Sequence, residues 1–148
     1  TQSKNEDMHI EQLKNIDDTV LKAFKILIPQ LIDRNSYPSR EELQEILQAG
    51  NTFLFIAREN DEILGTLSLV VYKIPTGKKA WIEDVVVDEN ARGKGVAASL
   101  VYHALKVARE KGIEKVDLTS TPARVAANRL YQKLGFRKRE TNVYRFTF

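Results

Sequence analysis

The apolar positions follow a helical period in the first third of the chain and a shorter period after it. Residues spaced three and four apart form an apolar stripe, which predicts an amphipathic helix. The stripe consists of Val20, Leu21, Phe24, Leu27, Ile28, Leu31 and Ile32. Asp17 or Asp18 is placed to cap the start of this helix. Pro29 lies inside the stripe and predicts a kink or an early end near Leu27.

A shorter helix is predicted directly before the change of period. The run Ser39-Arg40-Glu41-Glu42 has the residue types of a capping box, in which a Ser and a Glu three residues apart bond each other's backbone amides. Leu43, Ile46 and Leu47 form the apolar face of this helix, and Gly50 is its expected stop.

Beyond this point the apolar residues alternate or run together over short stretches bounded by turn residues. These stretches predict three strands, at residues 52–58, 63–72 and 80–87. A weaker alternation at residues 8–13 predicts an earlier strand. Because the turns between the three strong strands are short, an antiparallel meander is expected.

The last strand of the meander leads into a loop with two glycines and two cations, Ala91-Arg92-Gly93-Lys94-Gly95-Val96-Ala97-Ala98, and a helical pattern follows it. Glycine lets the backbone come close to a ligand. The first turn of a helix has amides without intrahelical partners, and its dipole favours an anion. Since Arg92 and Lys94 add positive charge, the loop is expected to bind phosphate, most simply a diphosphate.

Three patterns of phosphate-binding loop can be compared with this stretch. A Walker A loop does not fit, because it needs four residues between its glycines and a Ser or Thr after the Lys. The loose dinucleotide pattern G-x-G-x-x-A does fit, but it normally opens a series of βαβ units, and about 90 residues precede it here. A third pattern, Arg or Gln followed by x-x-Gly-x and Gly or Ala, is matched by Arg92, Gly95 and Ala97.

The residues after the loop complete a strand–helix–strand unit. The helix is expected to run to about Lys111 and to stop at Gly112, and a strand is predicted at residues 115–119. Such a unit forms a right-handed parallel crossover. The chain is therefore expected to form a single domain, residues 1–148, of mixed α/β class. Its central sheet is mostly antiparallel with one parallel βαβ part, and helices flank it.

A second informative stretch lies near the C-terminal end. Pro122 can begin a helix, and that helix contains the run Asn128-Arg129-Leu130-Tyr131-Gln132-Lys133-Leu134-Gly135-Phe136. Together with the glycine loop, this run resembles the signatures of the GNAT superfamily of acyl-CoA-dependent N-acetyltransferases. The resemblance covers roughly residues 52–148. Residues 1–50 match only in having two helices.

The resemblance implies a GNAT acyltransferase fold and direct transfer of an acetyl group from acetyl-CoA to a primary amine of a small molecule or peptide, without an acyl-enzyme. The implied contacts with coenzyme A are the diphosphate loop, the backbone of the strand before it and one side chain of the last helix. These are Arg92, Gly93, Lys94, Gly95, Val96 and Ala97, then Val85, Val86 and Val87, and finally Asn128. Asn128 could instead bridge locally.

Direct attack requires an uncharged amine. Because a lysine-like amine has a pKa near 10.4, its deprotonation at pH 7 requires about 5 kcal/mol. Glu83 and Asp84 precede the loop, and as adjacent strand residues they should face opposite sides of the sheet. Glu83 is the first candidate base and Asp84 the second. A strand carboxylate can also simply pair with a cation, so a remote base or no base at all stays an open alternative. Tyr131 is the implied proton donor to the leaving thiolate, or else a core tyrosine.

Composition excludes several other kinds of chemistry. The chain has no Cys and two His, so a cysteine nucleophile is excluded and neither a disulfide nor a metal site is expected. No apolar run is long enough to span a membrane, and the N-terminal residues lack the apolar core of a signal peptide. A cytoplasmic location is therefore expected.

Charge is divided unevenly along the chain. Residues 1–91 carry 10 Lys and Arg against 16 Asp and Glu, and residues 92–148 carry 13 against 4. A basic half indicates a polyanionic partner, which coenzyme A or a nucleic acid would satisfy.

Two alternatives to an enzyme thus stay open: an acyl-CoA-binding regulator without turnover and a basic nucleic-acid-binding module. The second requires a recognition helix or exposed aromatic residues. The aromatic residues of the tail follow apolar periodicity, so Tyr144 and Phe146 are expected in the core and no nucleic-acid partner is expected. A homodimer is possible.

Overall fold

The computed structural model describes residues 7–32 and 34–148. Five strands form one sheet in the order of the chain: β1 His9–Gln12, β2 Thr52–Glu59, β3 Glu62–Ile74, β4 Gly77–Val87 and β5 Val116–Asp117. The first three pairings are antiparallel, and β5 lies parallel to β4. The predicted meander and the parallel crossover are therefore both confirmed.

Four helices flank the sheet: α1 Asp18–Ile32, α2 Arg40–Gln48, α3 Val96–Glu110 and α4 Val125–Lys133. Two separate apolar cores show how they are arranged. Leu54 and Ile56 of β2 pack with α1 and α2, whereas Phe53, Phe55 and Ala57 pack with α3. Since alternate residues of a strand point to opposite faces, α1 and α2 cover one face of the sheet and α3 covers the other. Among the helices of the described residues, none is both long and apolar enough to cross a bilayer.

The two N-terminal helices begin with side-chain caps. Asp17 Oδ1 accepts a hydrogen bond from the Val20 amide at 2.8 Å, so Asp17 is the cap of α1. Ser39 Oγ accepts from the Glu42 amide at 3.1 Å, and Glu42 Oε1 accepts from the Ser39 amide at 3.2 Å. The predicted capping box is thus present at the start of α2.

The expected early end of α1 near Leu27 is wrong, because the helix continues through Pro29 to Ile32. Proline removes one main-chain donor but leaves the rest of the helical ladder in place. Leu27 is buried and Ile28 packs against the core beneath α1. Burial of these side chains offsets the loss of one hydrogen bond, so the last turn forms and reaches the site described below.

The prediction that Tyr144 and Phe146 lie in the core is also wrong. Their exposed fractions are 87% and 81%, whereas Tyr131 in α4 is 6% exposed. Residues 137–148 lie outside the helices and strands. Apolar and polar residues alternate here as they do in a strand. Among the described residues, however, this segment pairs with no strand of the sheet, so the two rings do not reach a core.

Candidate active site

The glycine loop is held at both ends and open between them. Ala91 and Val96 are buried, whereas the four residues between them are exposed. Gly93 and Gly95 have φ angles of 82° and 75°, which L side chains rarely adopt. A Cβ atom on either glycine would meet nothing within 4 Å. The glycines are therefore needed for the backbone path, and the space above them is open to a ligand.

The N-terminus of α3 opens into the same space. The first helical hydrogen bond runs from the Ser99 amide to the Gly95 carbonyl at 3.1 Å, so the three preceding amides have no helical acceptor. In the described structure no side chain caps this terminus, and the first turn carries no acidic residue. Together with Arg92 and Lys94 beside it, this terminus has the charge and the donors that an anion requires.

A β-bulge interrupts β4 just before the loop. Ser68 of β3 pairs with Glu83 and Thr66 pairs with Val86, so two residues of β4, Asp84 and Val85, lie opposite one residue of β3. Asp84 has φ 50°, a left-handed value that is uncommon for a residue other than glycine. Such strain is concentrated at functional sites, and a bulge changes the direction of the side chains that follow it.

The bulge also explains the order of buried residues along β4. Before it, Ala80 and Ile82 belong to the core under α3, and after it Val85 and Val87 pack against the same core. The apolar face therefore changes from even to odd positions, which is the result of one extra residue.

The parallel strands separate beside the bulge. β5 pairs with β4 only at Ala80–Val116 and Trp81–Asp117 within the described structure. Beyond these pairs lies a cavity of about 190 Å³. Its walls come from β4, from the residues after β5, from the end of α1 and from α4: Leu31, Ile32, Ile82, Glu83, Asp84, Val85, Leu118, Thr119, Arg124 and Tyr131. The structure thus brings the three predicted catalytic residues to one cavity.

Glu83 and Asp84 both line this cavity, which corrects the expectation that only one of them would. That expectation assumed a regular strand, and the bulge removes the regular alternation between neighbouring side chains. Burial raises the pKa of Glu83, and the adjacent Asp84 charge raises it further. A carboxylate with a raised pKa is a stronger base than an ordinary glutamate.

Tyr131 is nearly buried, and its ring makes an edge-on contact with Phe136 at 5.9 Å between centroids. Burial raises the pKa of the Tyr131 hydroxyl, and the guanidinium of Arg124 opposes this shift. The hydroxyl therefore keeps its proton at neutral pH. A protonated phenol in the cavity is a possible proton donor, and the nearby cation would stabilise its anion.

Asn128 forms local bonds. Its Nδ2 donates to the carbonyls of Thr121 and Arg124, at 2.9 and 2.8 Å. Both amide hydrogens thus hold the turn before α4, which is the local bridge that the sequence left open. The side-chain oxygen is the atom through which a ligand contact would be made.

Three residues that the sequence did not indicate as site residues also line the cavity: Arg124, Leu31 and Ile32. Arg124 lies seven residues before Tyr131, two helical turns away, and this spacing could have indicated a shared face. No comparable signal exists for the end of α1. This helix is far from β4 in the sequence and comes close to it only in the folded protein.

The chain is similar in sequence to several known acetyltransferases. It is 37% identical to the glucosamine 6-phosphate N-acetyltransferase of Trypanosoma brucei brucei over 92 residues, which are 60% of each chain. It is 36% identical to the L-2,4-diaminobutyric acid acetyltransferase of Marinococcus halophilus over 90 residues, 60% of this chain and 50% of that protein. The match therefore spans about half the length of these curated relatives.

Solved structures show the same fold. The glucosamine-6-phosphate N-acetyltransferase of Arabidopsis thaliana superposes with a TM-score of 0.80 at 26% identity, covering 95% of this chain and 99% of that one. A predicted acetyltransferase of Clostridium acetobutylicum, solved with acetyl-CoA, superposes with a TM-score of 0.73 at 22% identity, covering 95% and 96%. The model of the Acetyltransferase (GNAT) family matches residues 20–136. This protein belongs to the GNAT family of acetyltransferases.

Proposed function

We propose that this protein is an N-acetyltransferase that passes an acetyl group directly from acetyl-CoA to a primary amine of a small molecule or peptide. One observation carries the proposal. Glu83, Asp84 and Tyr131 line one cavity at the point where β4 and β5 separate. A carboxylate to accept a proton and a phenol to donate one are the two groups that direct transfer requires.

The proposed donor site extends from the cavity to the glycine loop. Residues from Arg92 to Ala97 supply amides and two cations for a diphosphate, and the backbone from Val85 to Val87 lies between that loop and the cavity. Main-chain amides of the separated strand would stabilise the oxygen of the acetyl group as it gains charge. Asn128 is proposed to contact the same donor through its side-chain oxygen. The Clostridium acetobutylicum structure of the same fold was solved with acetyl-CoA, which supports acetyl-CoA as the donor.

Two side chains have proposed roles in proton transfer. Glu83 takes a proton from the attacking amine, either directly or through a water, and Asp84 is the second candidate for this role. Tyr131 gives a proton to the departing sulfur, and Arg124 stabilises the tyrosine oxygen while that proton is away. The names of the relatives that act on glucosamine 6-phosphate and diaminobutyric acid support a small amine as acceptor.

The remaining expectations stay predictions: a cytoplasmic location, a possible homodimer, and no nucleic-acid partner. The exposed rings of Tyr144 and Phe146 give the nucleic-acid alternative one of the features that it requires. However, the basic tail from residue 137 forms no helix that could enter a groove, and it lies outside the matched residues 20–136. Family membership therefore favours the enzyme.

The proposed function predicts release of coenzyme A from acetyl-CoA with at least one member of a panel of primary amines, including amino sugars and diamino acids.

Because Arg92 lies beside the open N-terminus of α3, Arg92→Glu should weaken acetyl-CoA binding by at least about tenfold. Gly95→Trp should block the same site. Calorimetry measures the binding, and Lys22→Glu on the exposed face of α1 is the charge-matched control. Unchanged affinity in folded Arg92→Glu protein would contradict the donor site.

Glu83→Gln should lower the rate at neutral pH by about 100-fold, because a general base is lost. The loss should shrink as pH rises, since a growing fraction of the amine is already uncharged. Asp84→Asn is the matched variant, because Asn also tolerates the left-handed backbone at this position. It should lower the rate less. A pH–rate profile of Glu83→Gln parallel to that of the wild type would exclude Glu83 as the base.

Tyr131→Phe removes one hydroxyl and keeps the ring contact with Phe136, so packing should change little. If Tyr131 protonates the sulfur, kcat should fall by roughly 10²–10⁴ while affinity for acetyl-CoA stays nearly constant. Tyr102→Phe on the exposed side of α3 should change neither. Normal turnover of the Tyr131 variant, with a stability loss of about 1 kcal/mol, would instead make Tyr131 a core residue.

A further inference from the structure

A second cavity lies at the other end of the sheet from the glycine loop. It has a volume of about 500 Å³, and its walls include Asn51, Phe53, Tyr72, Lys73, Lys78 and Lys111. Lys78 is at the beginning of β4 and Lys111 directly follows the end of α3. The loop lies at the opposite ends of these two elements. Because the 15 residues of α3 span about 22 Å, the two sites are separate.

The walls of this cavity carry positive charge and no acidic residue among the described residues that form them. Lys73 and Lys78 are directly opposed across the β3–β4 ladder. Like charges in that position repel each other and destabilise a hairpin. No ion pair within residues 7–32 and 34–148 includes Lys73, Lys78 or Lys111. Within those residues, no ion pair with a carboxylate balances the three charges.

Neutral partners hold two of these ammonium groups in place. Lys78 Nζ donates a hydrogen bond of 2.7 Å to the carbonyl of Lys111. Lys111 Nζ lies 4.1 Å from the centroid of the Phe53 ring. The Lys111 carbonyl belongs to the C-terminal end of α3, whose partial negative charge stabilises the Lys78 ammonium, and the Phe53 ring stabilises that of Lys111; neither group removes the formal charge. The lysines are thus positioned by the fold while their charge stays available to a ligand.

The remaining walls combine apolar and polar groups, and the cavity is open to solvent. Val71 and the Phe53 ring beneath the Lys111 ammonium are apolar parts of its wall. Asn51 also lines the cavity. A volume of about 500 Å³ is within the range of small-molecule sites, which combine apolar walls with a few placed polar groups.

We propose that this cavity binds a small anion carrying two or more phosphate or carboxylate groups. Such a ligand would place negative charge between Lys73, Lys78 and Lys111 and relieve their repulsion, and a monovalent anion would balance only part of it. The site is distinct from the proposed acetyl-CoA site and does not rest on the proposed enzymatic function, since it shares no residue with that site.

Calorimetric titrations with pyrophosphate and with citrate test this proposal. They use a background of Arg92→Glu and Lys94→Glu, so that the glycine loop does not bind the probe. We expect one equivalent of at least one probe to bind, and the two arms tell phosphate from carboxylate chemistry. Lys73→Gln or Lys111→Gln should each weaken binding by about tenfold or more.

Lys79→Gln is the matched control, because Lys79 lies next to Lys78 on β4 but does not line the cavity. It should change the affinity by less than about twofold, because neighbouring strand residues point to opposite faces and its charge therefore lies away from the cavity. Melting curves verify that each variant is folded, and Lys73→Gln keeps the test valid if the Lys111 variant is unstable. Failure of both probes to bind, or equal weakening by Lys79→Gln, would overturn the proposal.

Discussion

The hydrogen-bonded contact between β4 and β5 consists of two residue pairs, Ala80 with Val116 and Trp81 with Asp117. Beyond them the strands separate, and the site depends on this separation. Buried backbone groups need partners, so an opening between neighbouring strands persists only where other structure supports it. Here the core under α3 holds both sides, since Ile82 is buried in it and Leu118 packs against it. The opening is therefore a built feature of the fold, and the candidate active site occupies it.

The bulge at Asp84 gives the opening its chemistry. It moves Glu83 and Asp84 to the same cavity as Tyr131 and returns the apolar residues after it to the α3 core. Burial raises the pKa of Glu83, and the neighbouring Asp84 charge raises it further. The opposite shift that Arg124 exerts on the pKa of Tyr131 limits the effect of burial there. One irregularity in one strand thus lies where the proposed proton-transfer groups meet.

Local signals in the sequence predicted the parts of the fold that local interactions determine. The capping box at Ser39 and the glycine stops depend on residues within one turn, and the alternation in β2 depends on neighbours in one strand. The glycine loop was predicted for the same reason. Its two left-handed residues and its cations are contiguous in the chain. The family match over residues 20–136 supports the assignment that these residues indicated.

Features that depend on distant residues were not predictable in this way. Packing beneath α1 overrode the expected break at Pro29. The bulge arises from the pairing of β4 with β3, so adjacent carboxylates were wrongly assigned to opposite faces. The periodicity of Tyr144 and Phe146 indicated a strand but did not identify a partner for it. Likewise, the basic cavity brings Phe53 of β2 next to Lys111 at the end of α3, residues that are distant in sequence, and no contiguous motif marks it.

The most direct test of the central claim is an NMR titration of ¹⁵N-labelled protein with acetyl-CoA. The claim is that the open loop and the separated strands form one donor site. It predicts that the largest amide shifts occur in residues 93–97 and in residues 83–87, at one equivalent of ligand. The amides of Lys73, Lys78 and Lys111 should move little. Largest shifts around those three lysines, with residues 83–87 unchanged, would contradict the account.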